Sequence, residues 1–227
     1  MIKFAGWEAA KGEEPMTDEL VFYTNPMSRG RIVRWMLEEV GQPYRTELLE
    51  YGTTMKAPAY LAVNPMGKVP AIRHGNTVVT EGAAICAYLA DAFPQAGLAP
   101  PHGDRLRGPY YRWLFFAAGP LESAAMNKGL GLEIPPGKER MLGYGAYAHV
   151  IDALDGLLSE HDYVLGDRFS AADVCLSSQI GWGVQFGTVE KRPTFERYWE
   201  RASKRPAAMR AKEIDDKLMP PKAPQAM

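Results

Sequence analysis

Two stretches of this chain carry residue types whose spacing suits chemistry on a small ligand. The first is Tyr23-Thr24-Asn25-Pro26-Met27-Ser28-Arg29-Gly30, between a strand-like run and a helical one. Loops at the carboxyl ends of strands in open α/β sheets are where ligands collect. This loop offers hydrogen-bonding side chains in Tyr23, Asn25 and Ser28. Ser28 lies just ahead of the helix, where its hydroxyl and the helix N-terminus can act on one anion. Ser28 also fits a plain helix N-cap, and the two roles are compatible. Tyr23 fits equally well as a strand aromatic packed against a helix.

The second stretch is Asn64-Pro65-Met66-Gly67-Lys68-Val69-Pro70-Ala71-Ile72, followed by Thr80-Glu81-Gly82. Pro70 directly precedes a short apolar strand although proline cannot donate to a ladder. A cis Val69-Pro70 bond leaves the N–H and C=O of Val69 free to pair with an extended peptide. Glu81 opens a helix whose first amides can hold a carboxylate. Lys56 and Lys68 read by themselves as solvated surface lysines.

Elements that would position these residues follow from periodicity. Leu20 to Tyr23 reads as a strand ended by Asn25-Pro26. Ile32, Val33, Trp35, Met36, Leu37 and Val40 fit one helical face, Gly41 suits the cap, and Arg34–Glu38 forms an i,i+4 pair on the other face. Tyr44 to Leu49 reads as a second strand, and Ala57 to Val63 as a short helix with Pro58 in its first turn. Residues 71–73 and 77–79 flank a Gly75-Asn76 hairpin, and Glu81 to Phe93 is helical. The order is βαβαββα, compatible with a small sheet covered by helices on both faces.

Beyond a Pro- and Gly-rich linker at 96–103, strands disappear. A long helix spans Leu106 to Ala117 and is interrupted at Gly119-Pro120. Residues 131–138 form a loop, and Met141 to Leu158 is helical by period. Ser170-Ala171-Ala172-Asp173 is a capping box, with Phe169 and Val174 placed as a hydrophobic staple. Further helices cover 194–203 and 207–218. The predicted organisation is an extension at 1–18, an α/β domain at 19–95, a helical domain at 104–219 and a tail at 220–227. The extension reads as a native arm or as an upstream start ahead of Met16.

The segment from Asn64 to Ile72 with Glu81, together with FYTNPMSRGRIVRWMLEE, resembles the cytosolic glutathione S-transferase family, and the local phrase is similar to its bacterial theta-like members. The resemblance implies an N-terminal thioredoxin-like domain followed by a C-terminal α-helical bundle, with glutathione as co-substrate. It implies that the Val69 backbone pairs the cysteinyl unit, with Pro70 beside it in the binding site, and that Glu81 with the Gly82 amide holds the γ-glutamyl end. Many relatives carry Ser or Thr where this chain has Gly82. Lys56, or alternatively Lys68, would meet the glycyl carboxylate. A thiol has a pKa near ~8.5, and a hydroxyl aimed at sulfur favours the thiolate. Theta-like members place a catalytic Ser at the start of this helix, matching Ser28. Alpha, mu and pi members place a Tyr at the end of the first strand, a slot that falls on Tyr23. Asn25 is a further donor in the same loop. Tyr110, Trp113, Phe116 and Trp182 are candidate walls for a small hydrophobic electrophile, though such spacing is more often core. The family also implies a homodimer and a role in detoxification. Rival readings are a non-catalytic binding or interaction module of the same fold, or a glutathione-dependent isomerase, dehalogenase or peroxidase.

The totals narrow the classes further. The 227 residues are 46% hydrophobic and 23% charged, enough for a substantial core, and a net charge of -1 gives no case for nucleic acid or an anionic membrane. No apolar run approaches the ~18 residues needed to span a bilayer, and the N-terminus lacks a signal-peptide pattern. Cys86 and Cys175 form no spacing motif, so a reducing, cytoplasmic setting is expected. His74, His102, His149 and His161 show no ligand spacing, so no metal site is expected.

Overall fold

The computed structural model describes residues 19–220; the predicted extension at 1–18 and tail residues 221–227 lie outside the described residues. The chain opens with β1 (Leu20–Thr24), α1 (Gly30–Val40), β2 (Arg45–Leu48), α2 (Pro58–Leu61), β3 (Ala71–His74), β4 (Thr77–Thr80) and α3 (Gly82–Ala92). The strands form one four-stranded sheet in the order β2-β1-β3-β4, with β1 parallel to β2 and antiparallel to β3. Strand alternation divides the side chains between its faces. Phe22 and Ile72 face α1 and α3 in the main core, whereas Tyr23 and Ala71 share a second cluster with Met55 and Tyr60.

Helix α1 forms where the apolar residues recur at helical spacing, and Gly41 ends it in the left-handed region (φ 71°), its N–H returning to the Leu37 carbonyl. The sequence pattern puts Arg34 on a solvent face paired with Glu38, and here the structure differs. Arg34 is 1% exposed. It reaches Asp215, Tyr44 and Thr46, while Glu38 takes the Tyr44 hydroxyl and Arg210. The cause is tertiary: α9 (Pro206–Lys217) returns from the far end of the chain to cover that face of α1.

The second half is helical: α4 (Arg107–Phe116), α5 (Glu122–Gly129), α6 (Tyr147–Glu160), α7 (Ala171–Phe186), α8 (Pro193–Ser203) and α9. Pro120 does not break the first of these, as the sequence suggests. A π turn at Ala117–Leu121 absorbs the missing N–H, and the helix runs on into α5. Helix α6 starts at Tyr147 rather than Met141, because Gly143 and Gly145, the latter at φ 68°, interrupt the apolar period. Helix α7 is the buried axis of this half. Its capping box closes as predicted, Asp173 accepting from the Ser170 N–H and hydroxyl and also from Val164 N–H and the Tyr198 hydroxyl. The Phe169 ring lies against Trp35 and Tyr163 and under the Arg205 guanidinium. Cys86 of α3 and Cys175 of α7 are free and buried where the two helices meet. A hydrogen bond between the thiols, added to burial, raises Cys86 well above the ordinary range, so it stays protonated.

Candidate functional site

Strand register decides which loops share one end of the sheet. Tyr23 of β1 stands beside Glu47 of β2 and Ala71 of β3, and Ala71 stands beside Thr80 of β4. One step further along each strand brings Thr24, Leu48, Pro70 and Glu81 into a single row. The loops after β1, after β2, before β3 and after β4 therefore all emerge at this end, with the strands about 4.8 Å apart. Ser28, Lys56, Val69 and Glu81, far apart in sequence, leave the sheet together.

The loop after β1 is held by its own polar atoms. Asn25 donates from Nδ2 to the Leu49 carbonyl (2.8 Å) and accepts the Met27 N–H on Oδ1 (2.9 Å). Ser28 donates its hydroxyl to the Asn25 carbonyl (2.7 Å) and accepts the Gly30 N–H (2.9 Å). Asn25 is buried and Ser28 half-buried, so the hydroxyl is fixed yet reachable. Gly30 is required for this closeness: a Cβ there would lie 2.0 Å from Thr24 Oγ1 and 2.9 Å from Ser28 Oγ. Tyr23 points to the other cluster, its ring 5.6 Å from that of Tyr60. Its hydroxyl hydrogen-bonds the Arg73 guanidinium, which raises the pKa of that arginine.

The Val69-Pro70 peptide bond is cis. The turn before it is fastened by the Lys68 carbonyl, which accepts from the Tyr60 hydroxyl (2.6 Å) and Asn64 Nδ2 (2.7 Å). Burial pushes the Tyr60 hydroxyl up to about 12, so it remains a donor at neutral pH. Neither the N–H nor the C=O of Val69 takes a hydrogen bond among the described residues. Lys56 donates its ammonium to the carbonyls of Met66 (3.1 Å) and Gly67 (2.9 Å), bracing the same turn from the short 3-10 turn Thr54–Lys56 before α2. Lys68 is exposed.

Glu81 caps α3 with φ 68°, a left-handed conformation unusual for a residue with a side chain. Its carbonyl begins the helix by accepting the Ile85 N–H (2.9 Å), which leaves the amides of Gly82 and Ala83 turned outward without an intrahelical acceptor. A Cβ on Gly82 would meet only Pro70 Cγ, at 3.9 Å, so the cis proline and the helix start are neighbours with room between them.

Across from the Ser28 loop stands the helical half. Arg29 meets Glu122 of α5 at 2.8 Å and Met126 Sδ at 3.4 Å. Sequence reasoning missed Glu122 and Met126, and also Tyr60 as support for Val69; no local pattern marks them. Of the aromatic walls expected for an electrophile, Tyr110 (0% exposed) and Trp113 (4%) are withdrawn into the core, while Phe116 and Trp182 stay partly buried against it. Among the described residues no group of three or more His, Cys, Asp or Glu is placed to hold a metal ion, and no helix is long and apolar enough to cross a membrane.

Residues 27–92 match the glutathione S-transferase N-terminal domain and residues 138–206 the glutathione S-transferase C-terminal domain. A crystal structure of a glutathione transferase from Methylococcus capsulatus superposes with a TM-score of 0.70 at 30% identity, covering 87% of this chain and 99% of that one. The chain belongs to the glutathione S-transferase family. Its fold is that of the family, a thioredoxin-like domain with a mixed sheet followed by a helical domain. Glutathione S-transferase GstA of Escherichia coli O157:H7 is 30% identical over 127 residues, which span 54% of this chain and 61% of that protein. A sphingomonad glutathione S-transferase complexed with glutathione superposes with a TM-score of 0.71 at 27% identity, over 86% of this chain and 98% of that one.

Proposed function

We propose that this family member binds glutathione at the row of loops described above and transfers its thiolate to a small hydrophobic electrophile. The observation that carries the proposal is the convergence of an unpaired Val69 peptide unit with the outward amides of α3 at one end of the sheet. The Val69 N–H and C=O pair the cysteinyl unit as an added strand would, with Pro70 shaping the approach. The Gly82 amide receives the γ-glutamyl carboxylate and Glu81 its ammonium. Lys56 or Lys68 supplies positive charge toward the glycyl end, Lys56 while also bracing the turn.

Ser28 is the group we assign to the sulfur, as in theta-like members, with Asn25 holding its loop. Its proton must turn from the Asn25 carbonyl to the sulfur, while the Gly30 N–H keeps the oxygen in place. Tyr23 is the alternative donor, and its packing against Tyr60 and Arg73 favours a supporting role in the second cluster. A homodimer, a cytoplasmic setting and a detoxifying role accompany this reading by family analogy.

One observation favours a second reading. Both hydrogen bonds of the Ser28 hydroxyl are already made within its loop, as they would be in a non-catalytic binding protein of this fold. Glutathione titration and conjugation of 1-chloro-2,4-dinitrobenzene by wild type, Ser28→Ala and Tyr23→Phe separate the two. Loss of one directed donor to a developing anion lowers turnover by about 10²-fold, so Ser28→Ala is expected to fall by that order with glutathione affinity little changed. Glutathione binding without turnover in wild type supports the binding module, and a collapse confined to Tyr23→Phe moves the catalytic role to that residue.

A further inference from the structure

The Ser28 loop is gripped from both halves of the molecule. On the sheet side Asn25 ties it to Leu49. On the helical side Arg29 meets Glu122 Oε1 at 2.8 Å, and the other carboxylate oxygen of Glu122 accepts Gln179 Nε2 of α7 at 2.9 Å. The carboxylate is thus anchored to the buried axis of the helical half before it reaches the loop. Arg31 adds a second strap, donating from Nε to the Pro26 carbonyl (2.6 Å) and from Nη1 to Asp216 of α9 (2.8 Å). The π turn at Ala117–Leu121 ends immediately before Glu122. One extra residue in a helical turn rotates everything after it by about 100°, and Glu122 and Met126, at i,i+4, then share the face that meets Arg29.

The Arg29–Glu122 pair is partly exposed, with side chains 44% and 31% accessible, and pairs of that kind stabilise folding by about 0–1 kcal/mol. Its consequence lies in geometry, since displacing a reacting group by about 1 Å can cost ~10²-fold in rate. We propose that Glu122, acting through Arg29, is a positioning residue that sets the orientation of the Ser28 hydroxyl and so the acidity of a thiol bound beside it. This rests on the assignment of Ser28 above. Two ways for Glu122 to act have opposite signs. If it positions Ser28, its loss weakens the hydrogen bond to sulfur and raises the thiol pKa. If it merely neutralises Arg29, its loss frees a cation near the sulfur and lowers that pKa.

The test uses the full chain, glutathione and 1-chloro-2,4-dinitrobenzene, with kcat/KM followed against pH for wild type, Glu122→Gln, Arg29→Ala, Arg29→Lys and the Glu122→Gln/Arg29→Ala double variant. The expected result is an acid limb shifted upward by about half a pH unit or more in Glu122→Gln and Arg29→Ala, with kcat down about 10-fold and KM for glutathione within about twofold. The double variant is expected to be no worse than either single one, because both remove one coupling, and Arg29→Lys to recover part of the loss. Thermal midpoints are expected to stay close to wild type. A downward shift, or lowered midpoints with an unmoved pH profile, overturns the positioning role. Wild type and Ser28→Ala are run alongside. An inactive wild type or an unaffected Ser28→Ala removes the Ser28 assignment and this proposal with it. A Ser28-dependent wild type with an unmoved Glu122→Gln profile removes the role of Glu122 alone.

Discussion

At Gly82 the chain offers a backbone donor to an anion and no side chain to reinforce it. The space for one exists, because the nearest atom to a Cβ there is Pro70 Cγ at 3.9 Å. A hydroxyl added at this helix start would give the γ-glutamyl carboxylate a second donor, and hydrogen bonds to charged groups are worth about 1.5–3 kcal/mol. Gly82→Ser is therefore expected to tighten glutathione binding by about 10-fold in a calorimetric titration, with Gly82→Ala as the control that adds a Cβ and no donor. Equal affinities for the two variants would show that the carboxylate is held elsewhere. Gly30 is the opposite case. Its Cβ would collide with Thr24 Oγ1 and crowd Ser28 Oγ, so Gly30→Ala must push the first turn of α1 away from β1. Overpacking of this kind costs about 1–3 kcal/mol, and activity is expected to fall further than stability because Ser28 moves with the turn. Conjugation rate and urea midpoint, measured together, separate the two losses.

Among the elements, α7 has the most to lose from a single change. Asp173 is fully buried and accepts from Val164 N–H, Ser170 N–H, the Ser170 hydroxyl and the Tyr198 hydroxyl. Asp173→Ala strands these donors and is expected to cost about 3 kcal/mol or more by urea unfolding. Burial outweighs the donors and pushes the carboxyl up to about 6. An acid whose folded pKa lies above its unfolded value, near ~3.9, contributes stability that is complete below that value and is lost as pH rises through the folded one. The stability gap between wild type and Asp173→Asn is accordingly expected to narrow from pH 4 to pH 7 by about 2 kcal/mol. A gap that widened over that range would mean the four donors outweigh burial. The capping box itself was legible in Ser170 and Asp173, because a cap is a local matter of spacing. So were β1, α1 with Gly41, the hairpin and α3, whose periods are unbroken. The start of α6 and the π turn at Pro120 were not, since apolar period alone does not register Gly143 and Gly145 or show how a helix absorbs a missing N–H. At the site, the turn residues and Ser28 announce themselves by type, whereas Glu122 and Tyr60 are ordinary helix residues until the chain folds back on itself.

For the whole molecule the decisive contact is the seam between α1 and α9, which ties the last helix to the one that begins at the Ser28 loop. Two arginines followed by two glutamates on α1 face two aspartates and two arginines in the complementary order. Arg31 meets Asp216, Arg34 meets Asp215, Glu38 meets Arg210, and Glu39 accepts from Nε and Nη2 of Arg205 at 2.6 and 2.8 Å. The first and third of these pairs have accessible partners, are screened by salt and contribute little each. Arg34–Asp215 differs because both side chains are almost fully buried, with the guanidinium also over the Phe22 and Tyr44 rings. Removing one member of such a pair leaves the other charge in a low-dielectric interior, which costs about 3–5 kcal/mol. Asp215→Ala is expected to lower the thermal midpoint by about 10 °C, at roughly 2–4 °C per kcal/mol for a chain of this size. Asp216→Ala, on the exposed side of the same helix, is expected to shift it by no more than a few degrees, and added salt to reduce that smaller effect while leaving the larger one in place. Equal shifts for the two variants would mean that the seam is held by its apolar contacts alone and that Arg34 finds other partners when Asp215 is gone. Because α1 carries the seam on one face and starts at Gly30, loosening it by either route is expected to reach Ser28. The loss of conjugation in Asp215→Ala should then appear well below the temperature at which the protein unfolds.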